Sequence, residues 1–203
     1  GVRQCDAAAA ISQAQITGTD QFGGDYPAIV PLLPTGAAAD TPHLTWNQGT
    51  FSNNEAVVVE LAGAHSRYHC PLARTVSLGT PSKDLDYVSK ATIEGLNNVL
   101  DAVRPGVATR ELASTWNWTL AKYGLEKHSR LGYSIGIGYP PDWGERTISI
   151  RTEDESVLET NMTFHIICGM WMEGYGFELS ESIRVSPTGV ETLTSFPREL
   201  ICK

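Results

Sequence analysis

A carboxylate at the end of a buried strand is the first place in this chain where chemistry is expected. In residues 55–75, EAVVVELAGAHSRYHCPLART, the run Ala56-Val57-Val58-Val59 reads as a buried strand, because β-branched side chains fit a pleated surface. The run ends on Glu60, a charge that is costly to bury unless something pairs with it or uses it. A returning strand over residues 68–76 brings His69, Cys70 and Arg74 alongside. A desolvated carboxylate of this kind can act as nucleophile or general base, and a neighbouring histidine such as His69 can move the protons. The structural alternative is a Glu60 bonded to backbone or to Arg74. Cys70 beside His69 lacks an activating constellation and reads as a buried hydrophobe.

The elements that must hold these groups follow from periodicity and punctuation. Residues 1–19 predict an Ala-rich helix that ends before Gly23-Gly24, and residues 26–33 predict a short strand limited by Pro27 and Pro31. Residues 42–46 predict a strand or strand end. Leu85, Val88, Thr92, Leu96, Val99 and Val103 recur at helical spacing, with Thr80 or Ser82 as the cap and Pro105-Gly106 as the stop. A second helix is capped by Thr109, carries Leu112, Trp116, Leu120 and Tyr123 on one face, and ends at Gly124. Gly132, Gly136 and Gly138 with Tyr133 and Tyr139 predict a glycine-and-aromatic loop. The rigid turn at residues 140–144 places Trp143 where it can wall a pocket. Strands are expected over residues 162–167, 175–185 and 190–193. Paired helices followed by antiparallel strands predict an α+β domain with helices on one face of a curved sheet.

Composition removes several classes of function. With 203 residues, 41% apolar and 19% charged, the chain can bury a substantial core. A formal net charge of -8 argues against a nucleic-acid partner, which calls for a basic stripe. No stretch is long and apolar enough to span a bilayer, so no membrane partner is expected. Cys5, Cys70, Cys168 and Cys202 are scattered without a CxxC pair, which predicts reduced thiols in a cytoplasmic protein rather than disulfides or a zinc set. The chain opens on Gly1 without a Met and runs directly into a helix, so an upstream domain is expected.

Three stretches taken together carry a resemblance. GAHSRYHCPLARTVSLG, GYSIGIGYPPDW, and NMTFHIICGMW with GFELSESIRVSPTGVETLT resemble the catalytic domain of the creatinase/aminopeptidase P superfamily, the pita-bread fold. The likeness covers nearly the whole chain, residues 1–203, and YHCPL, GYSIG and YPPDWGERT resemble its ectoine-hydrolase branch. The resemblance implies a hydrolase of a non-peptide carbon–nitrogen bond, opening a cationic cyclic amidine to an N-acetyl diaminobutyrate. It also implies an N-terminal domain absent from this chain, and a homodimer in the full-length form.

The metallopeptidases of that superfamily hold two metal ions on Asp, Asp, His, Glu and Glu. Carried over, the first position falls on Glu60, the second on Pro71, the third on Tyr133 and the fourth on Ile167. The last falls on Ser180, with Glu181 beside it. Pro, Ile and Tyr cannot supply the anionic and imidazole ligands of a two-metal site, so no metal and no cofactor are expected. The resemblance further implies His43 as a proton-transfer residue, and places His69 and His165 beside the vacated positions. Tyr133 fills the space of the lost His and binds substrate. Glu178 or Glu181 pairs with the amidinium, Glu178 sharing the face of Ser180 only through a β-bulge. Catalysis is thus expected from Glu60, His43 and His69, and substrate contact from Tyr133, His165, Glu178, Glu181 and Trp143. Two other readings stay open: a non-catalytic peptide- or protein-binding module, and an Xaa-Pro metallopeptidase.

Overall fold

The computed structural model describes all 203 residues. Helix α1 spans Gln4–Thr17, followed by an irregular stretch and a short 3₁₀ turn at Gly36–Asp40. The hairpin β1 (Glu55–His65) and β2 (Tyr68–Leu78) leads into helices α2 (Lys83–Ala102) and α3 (Thr109–Lys122). The remaining strands are β3 (Gly132–Tyr139), β4 (Asp142–Ile150), β5 (Thr163–Met172), β6 (Tyr175–Ser186), β7 (Gly189–Thr192) and β8 (Ile201–Cys202). The expected α+β architecture is what forms: one sheet ordered β1-β2-β3-β5-β6-β7, with β4 on β3 and β8 on β2.

The helices follow from their apolar stripes and caps. Ser82 accepts the Leu85 N–H at 3.1 Å, which satisfies one orphan donor of α2. Leu85, Val88, Leu96 and Val99 of α2 and Leu112, Trp116 and Leu120 of α3 pack against Phe164, Ile166, Phe177 and Leu179 in one core cluster. Strand alternation explains the division of labour. In β5 the residues Phe164, Ile166 and Cys168 enter that core, so His165 and Ile167 between them point to the other face.

The sheet curls because its two halves are barely hydrogen-bonded to each other by backbone. A single ladder pair, Tyr68 with Ile137, joins β2 to β3. In its place, side chains of β6 stitch it to β2. Ser182 Oγ donates to the Pro71 carbonyl at 2.6 Å, Ser180 Oγ accepts the Ala73 N–H at 2.7 Å, and Thr75 Oγ1 bonds the Glu178 backbone at both N and O. The β1–β2 hairpin therefore folds over the inner face of β5–β6, and the space between them is the concave side of the molecule.

Several local expectations are corrected. Residues 26–33 form no strand. Pro27, Pro31 and Pro34 remove donors, and only the isolated bridge Leu32–Glu60 forms there. Residues 42–46 are a turn and loop, with His43 at φ +65°, a left-handed conformation that a strand residue does not adopt. The glycine-and-aromatic segment is the strand β3, not a loop. Its glycines answer close approach: a Cβ on Gly132 would collide with the His165 carbonyl, and one on Gly138 with the Trp143 backbone. Thr109 is the first residue of α3 rather than its cap, and its hydroxyl donates to Asp154 at 2.8 Å. β4, β8 and the 3₁₀ turn have no counterpart in the expected elements, and the turn expected over residues 140–144 gives way at Asp142 to β4.

Candidate active site

Glu60 lies near the middle of β1, paired with Ala73 of β2, and is 2% exposed. Its side chain reaches a cavity of about 360 Å³ on the concave side, walled by Ile29, Val30 and Leu32, by His43 and Thr45, and by Arg130, Tyr133 and Trp143. The segment after the Pro140-Pro141 turn contributes Asp142 and Arg146 to the rim. Burial raises the proton affinity of Glu60 well above the ordinary carboxylate range, and the nearby charge of Glu178 raises it further. Glu178 is raised by its own burial, partly offset by the cation Lys127. Burial thus biases both carboxyls toward their protonated forms relative to an exposed carboxylate.

Behind the wall runs a hydrogen-bonded line of side chains. Tyr133 and His165 are directly paired across β3 and β5. Tyr133 Oη lies 2.8 Å from His165 Nδ1, and His165 Nε2 lies 2.7 Å from Ser180 Oγ. Trp143 Nε1 donates to the same Tyr133 Oη at 2.8 Å. The Ser180 hydroxyl accepts the Ala73 N–H and also bonds His165 Nε2. His165 thus bridges Ser180 and Tyr133 through its two ring nitrogens, and Tyr133, which also accepts from Trp143, lines the cavity. Burial first, then the charges of Arg130 and Lys127, push His165 down to about 3, so it stays neutral. Tyr133 is raised by burial and by Glu60, and stays protonated.

The expected site residues separate into three groups. Glu60, His43, Tyr133 and Trp143 share the cavity wall. His165 and Glu178 stand behind it, fully buried, and support the wall rather than form it. No bulge is involved: β6 pairs regularly with β5, and Glu178, Ser180 and Ser182, two residues apart, occupy one face. His69 and Glu181 are corrections. Both His69 ring nitrogens are taken by backbone, Nδ1 donating to the Arg67 carbonyl and Nε2 accepting the Ala28 N–H, each at 2.9 Å. That imidazole anchors the 26–28 segment and has no free nitrogen for proton transfer. Glu181 points to the opposite face and forms a buried ion pair with Arg74 at 2.6 Å, with Thr194 donating to its second oxygen. Arg74 is therefore not the partner of Glu60, because adjacent strand residues face opposite ways.

Sequence reasoning missed Arg130, which rests over the Tyr133 ring at 4.2 Å, and the apolar wall at residues 29–32. A basic residue directly ahead of a strand that carries site residues was the available signal.

The metallopeptidase family M24 model matches residues 1–187. The chain belongs to the M24 family. Among curated relatives, the M24 chain is 49% identical over 183 residues to the ectoine hydrolase of Halomonas elongata, covering 90% of this chain and 46% of that protein. It is 43% identical over its whole length to an uncharacterized hydrolase/peptidase of Sinorhizobium fredii, covering 52% of it. Among solved structures, the dipeptidase of Pyrococcus horikoshii superposes with a TM-score of 0.88 at 22% identity, covering all of this chain and 55% of that one, which shows the pita-bread fold. The chain spans about half the length of the curated relatives it matches.

An M24 metal pair is tested by the donors present, and they do not fit. No group of three or more His, Cys, Asp or Glu residues converges anywhere in the structure. Of the carried-over positions, only Glu60 offers a carboxylate. Tyr133 and Ile167 instead join Ala62, Ile135 and Trp143 in a small apolar cluster, and Ser180 is committed to Ala73 and His165. Two carboxylates in an apolar shell do not make the multi-ligand cage that two divalent cations require. No helix of this M24 chain is long and apolar enough to cross a membrane.

Proposed function

We propose that this chain carries the catalytic site of an ectoine hydrolase that opens the cyclic amidine ring without a metal ion, giving an N-acetyl-2,4-diaminobutyrate. The observation that carries the reading is Glu60, a buried carboxylate of raised proton affinity in a cavity sized for a small heterocycle. The 49% identity with an ectoine hydrolase supports the substrate class.

The chemistry follows from charge. A cationic amidinium entering the cavity favours the ionised form of Glu60 and draws off the proton held there. The amidinium carbon is already electron-poor, so a carboxylate or a water activated by it can add without a Lewis acid. In the water route, the water oxygen bonds to that carbon and its proton passes to Glu60. The carbon–nitrogen bond to one ring nitrogen then breaks as the adduct's hydroxyl becomes the amide carbonyl, and the proton that hydroxyl releases passes through His43 on the wall to the leaving amine. The Tyr133 hydroxyl, held by Trp143 Nε1 and His165 Nδ1, gives the adduct a hydrogen bond. A homodimeric, cytoplasmic full-length form belongs to the same reading.

The test combines calorimetric titration with ectoine and a ring-opening assay on wild type and Glu60→Gln. Saturable binding by both with activity lost in the variant is the expected result. Full activity of Glu60→Gln would remove Glu60 from the reaction.

A further inference from the structure

The cavity holds an uncommitted cation as well as its acidic floor. We propose that Arg130 is the specificity residue of this site, clamping a carboxylate on the substrate, so that the site selects a zwitterion rather than a bare cation. The inference rests on the amidine-hydrolase reading and adds the second half of the ligand.

Three observations carry it. Arg130 lines the same cavity as Glu60, and none of the chain's eight ion pairs uses it. Its guanidinium carbon lies over the Tyr133 ring at 4.2 Å from the centroid, a contact that holds the group at the cavity. The other arginine on the cavity, Arg146, is mostly exposed and paired with Asp142 at 3.3 Å. An arginine held against a ring, with no protein acceptor, suits a bidentate carboxylate. The apolar wall of Ile29, Val30 and Leu32 leaves the remainder of such a ligand a hydrocarbon surface to rest on.

The arrangement also discriminates. A cation without a carboxylate enters beside an unneutralised guanidinium and is disfavoured, while an anion without a cationic centre meets the acidic floor. Only a ligand with both charges satisfies both ends.

The probe pair is ectoine and its decarboxylated analogue, 2-methyl-1,4,5,6-tetrahydropyrimidine, titrated against wild type, Arg130→Gln and Arg130→Lys. Wild type is expected to prefer ectoine by about 10- to 100-fold, the range of a charge-assisted hydrogen-bonded pair. Arg130→Gln should abolish that preference by weakening ectoine alone, raising KM far more than it lowers kcat. Arg130→Lys, which keeps the charge but not the fork, should recover part of it. Thermal melts check folding, and if Arg130→Gln does not fold, the wild-type and Arg130→Lys preferences decide. Equal loss of both ligands in Arg130→Gln, or an undiminished preference for ectoine, overturns the clamp and leaves the hydrolase reading standing. A wild type that binds neither ligand overturns both.

Discussion

Ile167 and Ser180 stand directly opposite each other in the β5–β6 ladder, at the two positions onto which the sequence resemblance carries metal-binding glutamates. One is an apolar side chain packed against Tyr133 and Trp143, and the other is a hydroxyl fully engaged with Ala73 and His165. Ring-opening activity is therefore expected to survive exhaustive chelation and to gain nothing from added manganese or cobalt. Elemental analysis on the same active sample should find metal far below one equivalent. Activity that falls on chelation and returns with one metal would sink the metal-free reading.

The Glu60–Glu178 pair makes a pH-dependent statement about stability. Both carboxyls are raised by burial, so the folded state binds more protons than the unfolded state above the ordinary carboxylate range. Stability contributed by the protonated forms is complete at low pH and is lost as pH rises toward the folded values. Glu178→Gln, which cannot ionise, should therefore be more stable than wild type at neutral pH, by about 1–3 kcal/mol. The gap should close near pH 4. Urea titrations at both pH values measure it, and a variant less stable than wild type at neutral pH contradicts the assignment.

Glu60→Gln should retain the fold and lose roughly a thousandfold or more in kcat, the scale on which removed nucleophiles and bases are felt. His69→Gln offers the contrast. Its ring bonds only backbone, so it should lower the melting temperature while leaving the shape of the pH–rate profile unchanged. A shifted limb of that profile in His69→Gln would return His69 to the proton path.

Arg74 and Glu181 form the most buried ion pair of the chain, at 5% and 2% side-chain exposure. Removing one partner leaves the other charge without its counter-ion, so Glu181→Ala should cost about 3–5 kcal/mol in chemical denaturation. The double variant Arg74→Met with Glu181→Leu should recover much of that loss, because it removes both charges together. Additive losses in this cycle would show that the pair is not coupled.

Tyr133→Phe removes the hydrogen-bond partner of two buried groups, Trp143 Nε1 and His165 Nδ1. A loss of about 2–5 kcal/mol is expected from the two unpaired groups, together with reduced turnover. Normal stability with normal turnover would dissolve the proposed line from Ser180 to the cavity.

How much of this was legible in the sequence depends on whether a residue's role is set locally. The β-branched run before Glu60, the apolar stripes of α2 and α3, and the Ser82 cap are local facts, and each appears where expected. His69 and Glu181 failed for a different reason. Their partners, Ala28 and Arg74, lie 41 and 107 residues away, and only the folded chain brings them together. The face of Glu178 was misjudged although period-two alternation fixes it, since 178 and 180 are equivalent positions of one regular strand. The glycines of β3 were read as loop punctuation because the backbones they make room for, His165 and Trp143, come later in the chain. Arg130 carried only its place, a basic residue just ahead of β3. Its meaning comes from the ring it lies on and the cavity it borders.

Strand β5 alternates between two unrelated tasks, with Phe164, Ile166 and Cys168 in the helical core and His165 and Ile167 on the concave side. The same sheet can thus change what it reacts with while conserving what holds it up. A combinatorial library restricted to Glu60, Arg130, Tyr133 and Ile167 would sample new substrates across a scaffold whose helix-facing half never enters the selection.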